Sequence, residues 1–150
     1  MITSYLDAIS IGDKHTSRAR TITETDIVSF AMFTGDWHPI HTDVEYAAAD
    51  PDFGGRIAHG ALVLSVALGL VTFWPPAMRA FYGVDRLRFV APTRIGDTLH
   101  VDTEVIGISP RNAESGVVTS IFLVRNQRNE DVMAATLKTL VARDPAKLPA

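Results

Sequence analysis

The first part of the chain carries an apolar stripe with helical spacing between two residues that mark helix ends. Thr23 stands where an N-cap is expected, and Ile27, Phe30 and Ala31 follow on one helical face. Gly35 comes after the stripe, where glycine often ends a helix because it readily adopts the left-handed conformation. The pattern predicts a helix that leads into a polar loop, after an extended lead-in of about twenty residues.

Proline and a capping pattern organise the polar segment that follows. Pro39 disfavours helical conformation at the residue before it, so a continuous helix through Trp37 and His38 is not expected. The stretch Thr42–Glu45 has the spacing of a capping box and predicts a second short helix. His41 is therefore expected immediately before a helix start.

The longest apolar run extends from Ala61 to Trp74 and is interrupted at Ser65, Gly69 and Thr72. It falls well below the ~20 apolar residues that a membrane-spanning helix needs, so no membrane association is expected. Apolar residues occur on nearly all sides of the run, which is typical of a helix without a solvent face. We expect a buried helix that begins near Gly60.

The second half of the chain changes to the period-two alternation of strands. Alternation is clear over residues 86–91 and 99–105, and two more strands are expected at about 116–126 and 131–143. Four strands after one apolar helix predict an α+β fold, in which an antiparallel meander curls around the helix. We expect one domain over residues 1–150 with a loose tail at 144–150.

Composition excludes several classes of protein. Hydrophobic residues make up 47% and charged residues 21% of the chain, as in ordinary globular domains, so a disordered or fibrous protein is not expected. The net charge of -3, without a basic run, argues against nucleic acid as a partner. Cysteine is absent, which excludes disulfides, thiolate catalysis and Cys-ligated zinc. The N-terminus does not resemble a secretory signal, so a cytoplasmic location is expected.

A cluster of polar side chains stands out against this background: Asp36, His38, His41 and Asp43 lie within eight residues. One interpretation is structural, since aspartate is common at turns and helix starts. A second is a metal site, but Pro39 breaks the register that would align the histidines, and further ligands are not obvious. The third is acid–base chemistry, in which a carboxylate and an imidazole both hold one water.

Acid–base addition of water next to a thioester carbonyl builds negative charge on the carbonyl oxygen, and this charge needs prearranged donors. Gly60 stands at the predicted start of the apolar helix, where backbone N–H groups are free and the helix dipole is positive. Glycine also lets a ligand approach the backbone closely. The loop and the helix start together therefore suit the hydration of an enoyl thioester.

At these motifs the sequence resembles the MaoC-like family, also known as R-specific enoyl-CoA hydratases or hydratase 2. The resemblance covers about residues 5–143 and runs through Phe33–Asp36, Pro39–His41, Arg56–Gly60, Gly96-Asp97 and Asn126. It implies a hotdog fold, in which a curved antiparallel sheet wraps a long central helix. It also implies a homodimer with the active site near the subunit interface.

The resemblance implies roles for individual residues. Asp36 and His41 match the family's catalytic pair, and the backbone N–H of Gly60 matches the donor to the thioester enolate. Residues beside them in the motifs are expected to contact the substrate: His38, Pro39, Ile40, His59 and Ala61. The family pattern has asparagine where this chain has His38, so a titratable ring replaces an amide. No metal and no cofactor are expected, because the coenzyme A thioester is itself the substrate.

Two other functions stay open at this point, an acyl-CoA thioesterase and a non-catalytic acyl-binding subunit, because a fold does not fix chemistry. The acyl carrier could be coenzyme A or an acyl-carrier protein. Arg56, Arg86 and Arg88 could bind coenzyme A phosphates, although arginines on an outward strand face are usually only solvated. Ser65 is expected to bond its own preceding helical turn.

Overall fold

A computed structural model describes residues 1–148 of the chain and shows four α-helices and six strands. The helices are α1 (Glu24–Thr34), α2 (Pro39–Thr42), α3 (Val44–Ala49) and α4 (Gly60–Leu70), and 3-10 helices form at Leu6–Ala8 and Pro145–Lys147. The strands are β1 (Lys14–Thr16), β2 (Arg20–Thr21), β3 (Met78–Phe89), β4 (Thr98–Pro110), β5 (Ser115–Arg125) and β6 (Asp131–Ala142). The α+β class is confirmed.

Local caps define α1 as the sequence predicts. The Thr23 side chain accepts the backbone N–H of Asp26, and the Asp26 carboxylate accepts the backbone N–H of Thr23 at 2.8 Å. At the other end Gly35 adopts a φ of 79°, which glycine tolerates without strain. The helix therefore stops where the polar loop begins.

The predicted position of His41 before a helix start is wrong. His41 lies inside α2, a single turn that begins at Pro39, and Asp43 rather than Thr42 caps the following helix α3. Proline suits the first position of a helix, because the N–H that it lacks would have no partner there. Thr42 ends α2 instead, and its hydroxyl donates to the carbonyl of Trp37 at 3.2 Å.

Helix α4 begins at Gly60 as predicted but ends at Leu70 rather than Trp74. Beyond it, Ile2 donates its N–H to the Thr72 carbonyl and accepts the Trp74 N–H, so this segment pairs with the N-terminus instead of continuing the helix. The prediction of a helix without a solvent face is also wrong. Ala61, Ser65 and Gly69 form an exposed stripe, because the sheet covers only one side of α4.

The sheet is antiparallel and has the order β1-β4-β5-β6-β3, with β2 also paired to β4. Strands β4, β5 and β6 form the predicted meander. Strand β3 does not sit next to β4 but crosses to pair with β6, which places it at the opposite edge of the sheet from β1. The extended lead-in supplies β1 and β2. Apolar side chains of α4 and of the sheet make the main core: Leu62, Val63, Val66, Ala67, Leu70, Leu99, Val101, Phe122, Val124, Met133 and Leu137.

The first residues of the predicted loose tail have partners elsewhere in the chain, and the looseness of the tail as a whole stays a prediction. The Arg143 guanidinium and the Asp144 backbone N–H both bind the Asp7 carboxylate, and a 3-10 helix follows at Pro145–Lys147. The last two residues of the predicted tail, 149 and 150, lie outside the described residues. In the described chain, every helix is too short or too polar to cross a membrane.

Candidate active site

Three side chains from separate parts of the sequence meet at the entrance to α4. Asp36 lies in the exposed loop after α1, His41 is half-buried in α2, and His59 is the N-cap of α4 with 2% of its surface exposed. One carboxylate oxygen of Asp36 and one ring nitrogen of each histidine all lie within 4.8 Å of one another. The fold thus brings the two predicted catalytic residues together and adds His59 beside them.

The loop that carries Asp36 is fixed from both sides. The Asp36 carboxylate accepts the backbone N–H of His38 at 3.3 Å, which turns the loop into α2. The Asp36 backbone carbonyl lies 3.0 Å from His59 Nε2, and since a carbonyl can only accept, this nitrogen carries the proton and donates. Asp36 is therefore tied to α2 through its side chain and to the start of α4 through its backbone.

The tautomer of His41 follows from one contact. His41 Nδ1 lies 2.8 Å from the carbonyl of Ile57, which can only accept, so Nδ1 carries the proton. In the neutral ring Nε2 is then left with a free lone pair. A histidine held in this way is ready to accept a proton at Nε2.

Burial lowers the pKa of His41 below its ordinary value of 6.5, and the nearby His59 and His38 act in the same direction. The hydrogen bond to the Ile57 carbonyl and the charge of Asp36 oppose this shift without reversing it. His41 is thus neutral at neutral pH, which is the state that a general base needs.

His59 supports the ring of His41 by stacking. The two ring centroids are 3.9 Å apart with 31° between the planes, and Phe30 packs near His59 at 5.1 Å. His59 Nδ1 is buried and has no hydrogen-bond partner within residues 1–148. Sequence reasoning placed His59 among the substrate-contacting residues, and no local signal indicates that it stacks on His41.

Asp36 and His41 lie close enough to bind one small molecule together. A carboxylate oxygen of Asp36 and a ring nitrogen of His41 lie within 4.8 Å of each other, and in the described chain the two side chains make no direct hydrogen bond. Hydrogen bonds of ordinary length, about 2.8 Å each, let a single water span such a gap. Both groups can accept a proton from that water, which is the arrangement that hydration chemistry requires.

The same three residues could also be considered as metal ligands. A metal ion needs lone pairs that converge on one point. The rings of His41 and His59 stack, so their in-plane lone pairs run side by side, and each ring already donates one N–H to a backbone carbonyl. The geometry therefore favours proton transfer over metal binding at this site.

A cavity of about 310 Å³ opens beside His41 and the start of α4. Its wall is mainly apolar and consists of His41, Phe53, Ile57, Ala58, Gly60, Val63, Phe89, Val90, Ala91, Pro92 and Thr93. Most of these residues were not predicted as site residues, because they come from the segment before α4 and from the end of β3. Only long-range packing brings those two segments together.

The Phe89 ring packs closely against Gly60 at the cavity. A Cβ atom at this position would come within 2.6 Å of the Phe89 ring, so a larger residue would displace that ring. Gly60 is also the first residue of α4, whose N-cap side chain makes no capping hydrogen bond. The first N–H groups of a helix have no partner within the helix, so they remain available to a ligand.

Other predicted contacts lie outside the cavity wall. Ile40 is buried in the protein interior, Ala61 lies on the exposed stripe of α4, and His38 and Pro39 stand at the start of α2. Asp36 and His59 approach the cavity only through their contact with His41. The substrate-binding roles of these residues therefore stay predictions.

Arg56, Arg88 and Ser65 have partners within the chain. Arg56 binds Glu24 of α1 at 2.6 Å, and the Arg88 guanidinium donates to the neighbouring carbonyl of Leu87. Arg86 is exposed at an irregularity of β3 with a φ of 53°. The Ser65 hydroxyl donates to the Ala61 carbonyl at 2.8 Å, which confirms the predicted bond to the preceding turn.

Comparison with known proteins gives consistent matches. A family model described as "MaoC like domain" matches residues 8–126. The chain is 42% identical over 100 residues to "Protein MaoC" of Klebsiella aerogenes and 40% identical over 91 residues to "3-hydroxybutyryl-CoA dehydratase" of Methylorubrum extorquens, covering 65% and 61% of this chain. It is 36% identical over 110 residues to the "(R)-specific enoyl-CoA hydratase" of Rhodospirillum rubrum, covering 73% of this chain and 75% of that protein. The first two matches span only 29% and 57% of the length of those relatives.

Solved structures agree with this result. The monoamine oxidase regulatory protein from Archaeoglobus fulgius has a TM-score of 0.89 at 42% identity, with 95% of this chain and 96% of that chain covered. Rv0216 from Mycobacterium tuberculosis, described as having a double hotdog fold, has a TM-score of 0.86 at 24% identity, with 98% of this chain and 46% of that chain covered. The sheet and central helix of this chain thus form a hotdog fold.

Because His41 is partly buried, we expect its pKa in the folded protein to lie below the value in the unfolded chain. In the folded protein, an NMR titration of the His41 Cε1 proton should give a pKa below 6.5, and the same proton in the urea-unfolded chain should titrate near the ordinary value. Between these two values the unfolded state binds more protons, so the free energy of unfolding falls as the pH falls through this window. A folded-state pKa at or above the unfolded one would contradict burial as the dominant influence on His41.

Proposed function

The chain belongs to the MaoC-like domain family, and from this premise we propose that it is an enoyl-thioester hydratase, an enzyme that adds water to a trans-2-enoyl thioester and catalyses the reverse dehydration. One observation carries the proposal. Asp36 and His41 have polar atoms within 4.8 Å of each other, a separation that one water can bridge, and the cavity beside His41 also contains the uncapped start of α4 at Gly60. Water, its two proton acceptors and a donor to the thioester can therefore share one site.

The first chemical step uses the pair Asp36 and His41. Both accept hydrogen bonds from the water, and neutral His41 accepts its proton at Nε2 as the water oxygen bonds to Cβ of the substrate. The electrons of the double bond move toward the thioester oxygen and form an enolate. The proton taken up from the water is then delivered to Cα as the thioester carbonyl forms again. Proton delivery on the face from which water attacks gives syn addition. The face of the enoyl group that meets the water sets the configuration at Cβ, and the name of the (R)-specific relative supports the R-hydroxyacyl product. General acid–base help of this kind contributes about 10²–10⁴-fold to the rate.

The second part of the chemistry is the stabilisation of negative charge on the thioester oxygen, and we assign it to Gly60. As water adds, negative charge develops on the thioester oxygen and must be met by groups that are already oriented. The Gly60 N–H at the positive end of the eleven-residue helix α4 is such a donor. Removal of one donor of this type from an active site typically costs about 10²–10³-fold in rate.

The cavity wall supports an acyl thioester as the substrate. Phe53, Val63, Phe89 and Val90 present apolar surface to an acyl chain beside His41. Burial of such a chain stabilises the complex by about 0.8 kcal/mol for each methylene group. The names of two relatives, 3-hydroxybutyryl-CoA dehydratase and (R)-specific enoyl-CoA hydratase, support a coenzyme A thioester, and an acyl-carrier protein would present the same chemical group.

We also propose that the protein acts as a homodimer. Strand β3 lies at the edge of the sheet, and its large apolar side chains are exposed, with 46% of Phe81 and 52% of Tyr82 accessible. Phe89 and Val90 continue this exposed surface to the cavity. An exposed apolar edge strand is a surface that a second chain covers by pairing. A second copy would therefore lie next to the candidate active site.

The catalytic assignment is tested by Asp36→Asn. This change keeps the shape of the side chain but removes the charge and weakens the proton acceptor, so hydration of crotonyl-CoA should fall by about 10²–10⁴-fold. The protein should remain folded, because Asp36 is exposed. Asp43→Asn is the matched control, since Asp43 caps α3 and asparagine caps a helix equally well.

The assay should follow two signals on the same substrate, the loss of enoyl absorbance and the release of free thiol. A hydratase removes the conjugated double bond and leaves the thioester intact, whereas a thioesterase releases thiol. If Asp36→Asn hydrated crotonyl-CoA at the rate of the parent protein, Asp36 would have no catalytic role. If the parent protein released thiol and left the enoyl double bond intact, the protein would be a thioesterase and the hydratase proposal would be wrong.

The dimer is tested by light scattering with size-exclusion chromatography. The parent should have about twice the 16.3 kDa chain mass, and Phe81→Lys should shift it toward 16.3 kDa because an ammonium group at the edge opposes pairing. Ile106→Lys is the control, because Ile106 is exposed to a similar extent, 44%, but lies on the interior strand β4. A parent protein of 16.3 kDa at micromolar concentration would contradict the proposal.

A further inference from the structure

His38 occupies the start of the turn that carries His41. Its ring Nδ1 accepts the backbone N–H of Ile40 at 3.2 Å, which makes His38 the side-chain N-cap of α2. Its backbone carbonyl accepts the N–H of His41 at 2.9 Å, and its backbone N–H donates to the Asp36 carboxylate at 3.3 Å. One residue therefore contacts both members of the proposed catalytic pair.

The cap matters more in α2 than it would in a long helix. The helix has four residues, and its first residue, Pro39, has no N–H to offer. The N–H of Ile40 is therefore the first donor of the turn, and His38 Nδ1 is its partner. Because α2 contains few hydrogen bonds of its own, loss of this one should loosen the turn and the position of His41.

The cap depends on the protonation state of the His38 imidazole. Nδ1 can accept the Ile40 N–H only when it is unprotonated, because both nitrogens of an imidazolium are donors. A positive charge at the N-terminus of a helix is also unfavourable. The asparagine of the family pattern would cap with a carbonyl oxygen, which accepts at any pH. The substitution of histidine for asparagine thus adds a proton-dependent contact.

The charged and titratable groups around His38 come from three elements. Asp36 in the preceding loop carries a negative charge, and its carboxylate accepts the backbone N–H of His38. His41 of α2 and Tyr46 of α3 each lie edge-on to the His38 ring, with centroids 6.2 Å away. When His38 is protonated, its charge also opposes protonation of His41. Titration of His38 therefore acts on the site through both geometry and charge.

We propose that His38 is a positioning residue: its neutral ring caps α2 and holds His41 toward the water, and its protonation releases this cap and lowers activity. The proposal rests on the proposed function for its effect on rate. The cap itself can be tested without any catalysis.

The experiment compares the parent, His38→Ala and His38→Asn. At pH 7.5, His38→Ala should lower kcat for crotonyl-CoA by about 3- to 10-fold, the effect of a typical lost helix cap, with a smaller change in KM. His38→Asn should restore kcat relative to His38→Ala, because its amide oxygen accepts the Ile40 N–H. As the pH is lowered, the ratio of His38→Asn to parent kcat should rise through the midpoint at which His38 titrates by NMR. His15→Asn, a change of an exposed histidine in β1, should give a ratio that does not change with pH.

Amide hydrogen exchange at Ile40 and His41 gives a readout that is independent of activity. Exchange should be faster in His38→Ala than in His38→Asn, and it should accelerate in the parent as His38 protonates. Equal exchange in the two variants, or a kcat ratio that is flat with pH, would overturn the proposal. A folded parent without hydratase activity would instead overturn the proposed function, and the exchange data would still decide whether His38 is the cap.

Discussion

The hydrogen bond from His41 Nδ1 to the Ile57 carbonyl is the contact on which the candidate site depends. It joins α2 to the segment that enters α4, and it fixes the tautomer that leaves Nε2 free to accept a proton. The backbone N–H of Ile57 also donates to the Ile40 carbonyl at 3.3 Å, so two hydrogen bonds hold α2 against the segment that leads to Gly60. The stacking of His59 on His41 and the bond from His59 to the Asp36 carbonyl hold the same junction from the other side.

Local chemistry explains what the sequence could predict. The caps of α1, the start of α4 at Gly60 and the strands of the second half depend on neighbouring residues, so their signals lie within a few positions. The partnership of Asp36 and His41 could be predicted through the resemblance to a family, and the structure places these side chains together. Their catalytic roles, in contrast, stay predictions until the variants are measured.

Long-range packing explains what the sequence did not predict. Strand β3 pairs with β6 rather than with the next strand along the chain, and this crossover brings Phe89 over Gly60. The contacts of His41 with Ile57 and His59 likewise join residues that are 16 or more positions apart. Propensity and periodicity do not report such contacts. The prediction that Pro39 prevents a continuous helix through Trp37 and His38 is confirmed, whereas the position of His41 was predicted wrongly, because proline can also start a helix.

The most direct test of the account is the crystal structure of the Asp36→Asn variant with crotonyl-CoA bound. The account predicts that the thioester oxygen lies about 2.7–3.1 Å from the Gly60 backbone nitrogen, as expected for a group that stabilises an oxyanion. It also predicts that Cβ faces the gap between residue 36 and His41 Nε2, with the acyl chain in the cavity beside Phe89. A thioester bound with its oxygen away from Gly60, or with Cβ turned from His41, would contradict the account.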